Sequence, residues 1–256
     1  AIGAQVVAAS VHDVVRKRLV ELYRLALSHC DIVFTTGKDD QYFLHELLNR
    51  TVYHLPSAPL DLFFAVPAGS ASASCDVISV ANFFPKKRLD LVCECAMRRP
   101  DLRFTIFGDG PERAAIAARV AAEQLNNLAL PGRCPPAQLV TAMHGAKLFL
   151  LTSEQEGTPT AALEAMAAGL PVVLTPSNDY DWLVTPGVNG YVTGGWEVNE
   201  IIARIDNVLT DDLHRAAMGQ ANRERANRHT WWATANRVTA LMAEQLGLVW
   251  EAPCAG

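Results

Sequence analysis

Short apolar runs alternate with longer amphipathic stretches through most of the chain. The runs have the length of buried strands, and the longer stretches repeat their apolar positions at helical spacing. The predicted strands are Val77–Ala81, Arg103–Phe107, Leu128–Leu130, Lys147–Leu151 and Val172–Leu174. The predicted helices are Arg88–Arg98, Glu112–Leu125, Pro136–His144 and Thr158–Ala168, with more helix after Ile201. Because apolar strands separated by helices are typical of a parallel sheet covered on both faces, residues 67–256 are predicted to form a doubly wound α/β domain.

The first 66 residues show the same alternation over a shorter length. The predicted strands are Gln5–Val11, Asp31–Thr35 and Val52–Leu55, and the predicted helices are Val14–His29 and Lys38–Leu48. Since these strands are too few for a doubly wound domain and the chain opens on Ala1, residues 1–66 are interpreted as the remnant of a partial second α/β domain. The small residues of Pro67–Ser74 are the expected linker. An unpaired apolar sheet edge in this remnant leads us to expect self-association.

The composition is that of a globular chain without a strong charge bias. Hydrophobic residues make up 50% and charged residues 19%, and 22 Lys and Arg against 27 Asp and Glu give a net charge of -5. This balance excludes disorder and gives no reason to expect a nucleic-acid partner. No apolar run reaches the roughly 20 residues of a membrane span, so we expect a soluble, cytoplasmic chain. The cysteines are expected to be reduced core thiols, and neither a metal nor a cofactor is expected because metal-ligand spacing is lacking.

Two carboxylates flank a predicted helix start after the strand Lys147–Leu151. Thr158 suits an N-cap and Pro159 suits the first helical position, so the helix is predicted to begin there. Glu156 then lies in the loop at the carboxyl end of the strand, and Glu164 lies inside the helix. The alternative interpretation makes Glu156 a solvated loop residue and Glu164 an exposed helix residue.

The same helix start is a candidate anion site. The backbone N–H groups of Thr160 and Ala161 are expected to point out of it, where they and the helix dipole favour a phosphate. Carboxylates accept hydrogen bonds from sugar hydroxyls, while amides hold phosphate. The pattern therefore predicts a polyhydroxylated ligand that carries phosphate, bound at the carboxyl ends of the strands.

Three cations, Lys86, Lys87 and Arg88, stand at the predicted start of the helix that follows Val77–Ala81. Positive charge at a helix N-terminus is unfavourable by roughly 0.3 to 1 kcal/mol per group, and a bound anion would reverse that sign. The alternative is a solvated basic loop.

Two shorter motifs each allow a functional and a structural interpretation. Gly108-Asp109-Gly110 follows a strand, where glycines permit a positive φ and close approach to a ligand, but the same residues make an ordinary turn. His12, followed by Asp13, comes directly after Gln5–Val11. A histidine there can donate a hydrogen bond, shuttle a proton or stabilise a turn. Both interpretations stay open at each motif.

Together these motifs resemble a known family. Glu156-Gly157-Thr158-Pro159, followed by Glu164–Val173, is similar to the E-x7-E region of the retaining glycosyltransferases of family 4. Phe107–Pro111 resembles the glycine turn of that family, and Gly187–Val192 resembles its later Asn-Gly turn. The resemblance implies the two-domain, Rossmann-like GT-B fold. Residues 67–256 would be the C-terminal nucleotide-sugar-binding domain, and residues 1–66 a remnant of the N-terminal acceptor domain.

The resemblance also implies roles for single residues. Glu156 would contact the donor sugar, Glu164 would bind the ribose of the nucleotide, and Gly157, Thr158, Pro159 and Thr160 would shape the diphosphate site. Lys87 would pair with the diphosphate, and His12 would face the donor sugar across the cleft.

Other positions depart from the family pattern or add to it. Asn82 stands where the family commonly has an arginine, so Lys86 or Arg88 would substitute, or donor affinity would be lower. The glycine turn Gly108-Asp109-Gly110 would approach the ligand. Trp231 and Trp232 resemble an aromatic segment before the last helix of the family and are expected to pack in the core.

The implied reaction moves a hexosyl group from a nucleoside diphosphate sugar to a hydroxyl of a glycan or lipid-linked acceptor, with retention and without a metal. Two alternatives stay open, namely a non-catalytic sugar-nucleotide-binding or partner module and a GT-B sugar-nucleotide epimerase. The run Arg16-Lys17-Arg18, with Arg24, raises the alternative of a basic helix face that contacts anionic lipid or a lipid-linked acceptor, although a solvated helix face is the simpler interpretation.

Overall fold

A computed structural model describes residues 18–65 and 75–249 of the chain. The predicted strand Gln5–Val11, the motif at His12 and the expected linker Pro67–Ser74 lie outside the described residues. The boundary between the two predicted units therefore stays a prediction.

The N-terminal part contains a small parallel sheet of two strands. Its elements are helix α1, described over residues 18–28, strand β1 (Phe34–Thr35), helix α2 (Lys38–Leu48) and strand β2 (Tyr53–His54). Phe34 lies opposite Tyr53 in the parallel pairing of β1 with β2. Leu22 and Leu25 of α1 are exposed to solvent. Self-association through such apolar surface stays a prediction.

A parallel sheet of six strands forms the main part of the molecule. Its strands are β3 (Val77–Val80), β4 (Phe104–Phe107), β5 (Leu128–Gly132), β6 (Leu148–Leu151), β7 (Val172–Leu174) and β8 (Gly190–Val192). They lie in the order β5-β4-β3-β6-β7-β8. The apolar runs predicted all of these strands except β8, because Gly187–Val192 was interpreted as a turn.

Helices connect these strands and complete the chain. They are α3 (Leu89–Arg98), α4 (Arg113–Ala122), α5 (Pro136–His144), α6 (Thr160–Ala167), α7 (Val198–Leu209), α8 (Asp212–Ala226) and α9 (Trp231–Leu246). Over the part of the chain that the structure describes, no helix has both the length and the apolar character needed to span a bilayer.

The sheet is covered on both faces, as the continuous apolar strands predict. Leu148 and Leu150 of β6 pack into one apolar cluster, and the alternate residues Phe149 and Leu151 pack into another. Phe63, in the 3-10 turn just before the expected linker, is buried in the second of these clusters. The doubly wound architecture is therefore confirmed, and the last described turn before the linker packs onto the main sheet.

Two expectations about core residues are wrong. Trp231 and Trp232 are 52% and 47% exposed, because they form the first turn of α9 at the molecular surface. Cys30 is also exposed and Cys134 is only partly buried, whereas Cys93 and Cys95 lie in the core.

Candidate functional site

A cavity of about 420 Å³ opens at the carboxyl ends of the central strands. Its walls come from the ends of β3, β4, β5 and β6 and from the start of α6. The lining residues are Val80, Ala81, Asn82, Lys87, Phe107, Gly108, Arg133, Cys134, Leu139, Leu151, Glu156, Thr158, Pro159, Thr160 and Ala161. The chain winds from β3 outward to β5 on one side and from β6 outward to β8 on the other. Parallel sheets bind ligands at such a reversal of strand order, so this cavity is the candidate site.

A part-buried ion pair belongs to the cavity wall. Lys87 Nζ lies 2.5 Å from Glu156 Oε1, and the side chains are only 15% and 11% exposed. The Ser153 hydroxyl donates to the same carboxylate oxygen at 2.6 Å. The Thr152 hydroxyl donates to the Lys87 backbone oxygen at 2.9 Å and joins the loops after β3 and β6. Among the described residues, both hydrogen bonds to the Glu156 carboxylate use Oε1, so Oε2 keeps its capacity to accept a hydrogen bond from a ligand hydroxyl.

The start of α6 differs from its prediction. The helix begins at Thr160, and Pro159 rather than Thr158 is the residue before it. The Thr158 hydroxyl donates to the Thr36 carbonyl at 2.9 Å and accepts from the Ser57 N–H at 2.9 Å. Because its oxygen is occupied by the N-terminal part of the chain, Thr158 does not cap the helix.

As a result, the helix start offers an anion one backbone N–H group fewer than the sequence predicts. The Thr160 N–H donates to the Thr158 carbonyl at 2.9 Å, so it is not free for a ligand as expected. Among the described residues no backbone acceptor pairs with the Ala161 N–H, and Ala161 lines the cavity. The helix dipole and the Ala161 amide remain as the anion-binding features of this helix start.

Glu164 lies one helical turn beyond Thr160 on the same face of α6. It is half-buried and has no hydrogen-bond donor among the described residues, and burial raises the pKa of its carboxyl group to about 7. Glu164 does not line the described cavity. A hydroxyl-bearing ligand that extended along α6 would supply the missing donors.

The three cations after β3 lie at the start of the next helix, as the sequence predicts, with Lys86 and Lys87 in a short 3-10 turn before it. Helix α3 begins at Leu89, and Arg88 precedes it with a positive φ of 47°. Arg88 pairs with Asp90 and Glu154. Lys87 and Arg88 both pair with carboxylates. These carboxylates already offset the unfavourable interaction between the cations and the helix N-terminus that was inferred from the sequence. Lys86 is exposed and faces a different cavity.

That second cavity, of about 240 Å³, lies on the other side of Glu156. Lys86 and Gly157 line it, together with polar residues of α2 and of the loop after β7. The Asn178 side-chain amide donates to the carbonyl oxygens of Glu156 and Gly157 at 2.7 and 3.0 Å. These bonds hold the loop that carries Glu156 in place between the two cavities.

The glycine turn after β4 has both a structural and a lining role. A Cβ on Gly108 would lie 1.9 Å from the Ala81 carbonyl oxygen, and Gly108 has a φ of +125°. A Cβ on Gly110 would lie 2.7 Å from the Phe83 backbone nitrogen. Gly108 lines the cavity, whereas Asp109 and Gly110 are not part of the described cavity lining. The Asp109 carboxylate accepts from the Gly110 N–H at 2.8 Å and so stabilises the turn.

Among the lining residues that sequence reasoning missed, Arg133 and Cys134 carry ionisable side chains. They follow β5, and the carboxyl ends of all strands in a parallel sheet meet at one edge. That rule could have found them, although their residue types form no familiar motif. In the ranges 18–65 and 75–249, no group of three His, Cys, Asp or Glu residues is placed to hold a metal ion.

Residues 68–225 match the model of the family described as glycosyl transferases group 1, so the chain belongs to that family. It is 28% identical over 246 residues to a D-inositol 3-phosphate glycosyltransferase of Mycolicibacterium smegmatis, covering 90% of this chain and 50% of that protein. It is 25% identical over 152 residues to an uncharacterized glycosyltransferase of Methanocaldococcus jannaschii, covering 59% of this chain and 43% of that protein. The chain thus spans half or less of the length of these two relatives.

Solved structures show the same fold at lower sequence identity. Sucrose-phosphate synthase from Thermosynechococcus elongatus superposes with a TM-score of 0.79 at 19% identity, over 90% of this chain and 62% of that chain. Anabaena HepE, solved in complex with UDP, superposes with a TM-score of 0.75 at 17% identity, over 84% of this chain and 64% of that chain. The fold is therefore the GT-B type that the sequence motifs resemble.

Proposed function

We propose that the chain binds a nucleoside diphosphate sugar and takes part in the transfer of its hexosyl group to an acceptor hydroxyl, with retention at the anomeric carbon. The single observation that carries this proposal is the cavity at the strand-order reversal, where the Lys87–Glu156 pair lies beside the start of α6. The acceptor in this proposal is a glycan or a lipid-linked sugar.

The chemistry of the cavity supports a donor of this class. A diphosphate is attracted to the Ala161 amide and the helix dipole, and it can take a hydrogen bond from the Lys87 ammonium. The open Glu156 Oε2 can accept from a sugar hydroxyl. Glu164 lies further along the same helix, where ribose hydroxyls would give its half-buried carboxylate the donors it lacks. UDP bound in the solved HepE structure makes uridine nucleotides the first to test.

The reaction would depend mainly on charge stabilisation at the leaving group. As the bond between the sugar and the diphosphate breaks, negative charge grows on the departing oxygen. Lys87 and the Ala161 amide would stabilise that charge, which lowers the barrier. No side chain is assigned here as a covalent nucleophile. His12, which the family resemblance implicates, lies outside the described residues.

Calorimetric titration with UDP, GDP and ADP tests donor binding, with thermal shifts as a second measure. We expect one of the three to bind, and Glu164→Ala to weaken it by about 1 to 3 kcal/mol through lost charge-assisted hydrogen bonds. Glu156→Ala should weaken the matching sugar nucleotide more than the free diphosphate. Glu244→Ala, which removes an exposed acid on α9, is the control. Failure of the wild-type chain to bind any of these nucleotides would refute the proposal.

A separate assay distinguishes transfer from the two alternatives. Incubation with the sugar nucleotide should release free nucleoside diphosphate by slow hydrolysis or by transfer to an added acceptor. A binding module would leave the donor intact, and an epimerase would change its sugar without releasing diphosphate. Nuclear magnetic resonance of the anomeric proton of the product would report whether the configuration is retained.

A further inference from the structure

The charged side chains around the 420 Å³ cavity leave one positive charge uncompensated. Three ionised side chains belong to its described lining, namely Lys87, Glu156 and Arg133. Lys87 and Glu156 form a 2.5 Å ion pair that is largely shielded from solvent. Their charges largely cancel at a distance, so Arg133 supplies the net positive charge of the described lining, in addition to the dipole of α6 and the Ala161 amide.

Asn82, Lys86 and Arg88, which lie in the loop after β3, do not supply a further unpaired positive charge to this cavity. Asn82, which also lines the cavity, is neutral. Arg88 donates to Asp90 and to Glu154, at 2.7 Å in the latter case. Lys86 belongs to the second cavity. Arg133 itself is exposed, and within the described ranges no carboxylate lies at ion-pair distance from its guanidinium.

Hydrogen bonds hold the backbone beside Arg133, whereas its side chain makes no hydrogen bond or ion pair among the described residues. The Gly108 N–H donates to the Gly132 carbonyl at 3.0 Å, which ties the end of β5 to the turn that lines the cavity. The guanidinium of Arg113 donates to the Leu130 carbonyl at 3.0 Å and to the Gly108 carbonyl at 3.3 Å. These bonds place Arg133 on the cavity wall and leave its guanidinium available to a ligand.

We propose that Arg133 binds the diphosphate of the donor, an inference that rests on the proposed function of the cavity. A nucleoside diphosphate carries more negative charge than the paired Lys87 can neutralise. The planar guanidinium presents several N–H donors in a fork that matches phosphate oxygens. Arg133 therefore supplies the second cation of the site from the end of β5, two strands away from β3, and it selects phosphorylated ligands over nucleosides.

Calorimetry on the wild-type chain and on Arg133→Gln, Arg133→Lys and Arg237→Gln tests this role. The ligands are UDP, UMP and uridine, or the guanine or adenine series if GDP or ADP is the nucleotide that binds. Arg133→Gln should weaken the diphosphate about tenfold or more and change nucleoside affinity less than about twofold. Arg133→Lys should retain part of the diphosphate affinity. Arg237→Gln removes an exposed cation on α9, outside the described cavity lining, and should change neither affinity.

Salt dependence provides a second measure. The diphosphate affinity of the wild-type chain should fall with rising ionic strength, and that of Arg133→Gln should fall less steeply. Equal losses for diphosphate and nucleoside would overturn the inference, because Arg133 would then act on the nucleoside. An unchanged diphosphate affinity would overturn it while leaving the proposed function intact. If no nucleotide binds the wild-type chain, both proposals fail.

Discussion

At the scale of single residues, the Lys87–Glu156 pair reverses the change in stability that is expected when Lys87 is replaced. A solvated basic loop would gain stability when Lys87 is removed, because its charges repel one another. In the structure Lys87 compensates a carboxylate that is only 11% exposed. Removing the lysine would leave that carboxylate with Ser153 as its sole hydrogen-bond donor among the described residues.

We therefore expect Lys87→Met to lower the free energy of unfolding by about 1 to 3 kcal/mol, because it leaves a largely buried charge unpaired. Lys86→Met is the matched control, since the neighbouring lysine is exposed, and it should have little effect. Adding Glu156→Gln to Lys87→Met should restore part of the loss, because no uncompensated charge then remains. Urea unfolding of the four chains measures these differences, and equal stability of Lys87→Met and Lys86→Met would contradict the prediction.

Glu164 makes the free energy of unfolding fall as pH rises, whereas most acidic side chains, whose pKa is lowered on folding, make it rise. Its folded pKa of about 7 exceeds the ordinary value of 4.5, so the folded chain binds more protons than the unfolded chain between these values. Stability should fall as pH rises through this window and stay low above it. Glu164→Gln should thus be roughly 1 to 3 kcal/mol more stable than wild type at pH 8 and similar at pH 4.

Urea unfolding at pH 4 and pH 8 checks the Glu164 prediction. Glu244→Gln controls for the loss of a negative charge at an exposed position. A stability difference between Glu164→Gln and wild type that does not change with pH would show that the carboxyl group titrates normally.

At the scale of elements, the glycine turn after β4 and the loop after β3 cross at close range. Gly108→Ala places a Cβ against the Ala81 carbonyl oxygen at a φ of +125°, so the turn or the strand end must move. We expect a loss of about 2 kcal/mol or more in the free energy of unfolding, together with weaker ligand binding at the displaced cavity wall. Gly195→Ala is the control, because a Cβ there meets nothing within 4 Å. Equal unfolding midpoints for the two variants would contradict this account.

Sequence periodicity predicted some elements to the residue and missed others for identifiable reasons. Helices Lys38–Leu48 and Pro136–His144 have the predicted bounds. Strand β8 was missed because Gly190–Val192 is too short to show an alternation. The start of α6 was misplaced because the Thr158 hydroxyl bonds to Thr36, far away in the sequence. A local capping rule does not detect such a partner.

At the scale of the whole molecule, the candidate site combines loops from four strand ends. The sequence predicted Glu156, Lys87 and the α6 region as separate motifs, and the structure brings them to one cavity. It did not predict that Lys87 and Glu156 pair, because ion pairing across loops depends on the fold. It also missed Arg133, because an isolated arginine after a strand belongs to no sequence motif. Its role can be inferred only from the charges that the fold places around it.

Edge-to-face ring contacts of Trp182 with His54 and His229 link the N-terminal part of the chain to the main sheet domain. The ring centroid of Trp182 lies 4.9 Å from that of His54 in β2 and 5.1 Å from that of His229 before α9. Burial, with a smaller effect of Lys38, lowers the pKa of His54 to about 4, partly opposed by a hydrogen bond with the backbone of Thr36. Burial also lowers the pKa of His229, assisted by Arg225 and Arg228. Both histidines are therefore held in the neutral form that suits this contact.

The effects of His54 and Glu164 on the pH dependence of stability oppose each other. Between about pH 4 and 6.5 the unfolded chain binds more protons at His54 than the folded chain, so His54 makes stability fall on acidification. Glu164 has the opposite effect between about pH 4.5 and 7 and masks much of that loss in the wild type. Glu164→Gln should therefore lose stability more steeply on acidification than wild type, whereas His54→Gln should lose it less steeply. Urea unfolding at half-unit steps from pH 4 to 7 checks this, with His45→Gln as the exposed control. Parallel pH profiles for all four chains would show that neither group couples folding to protonation.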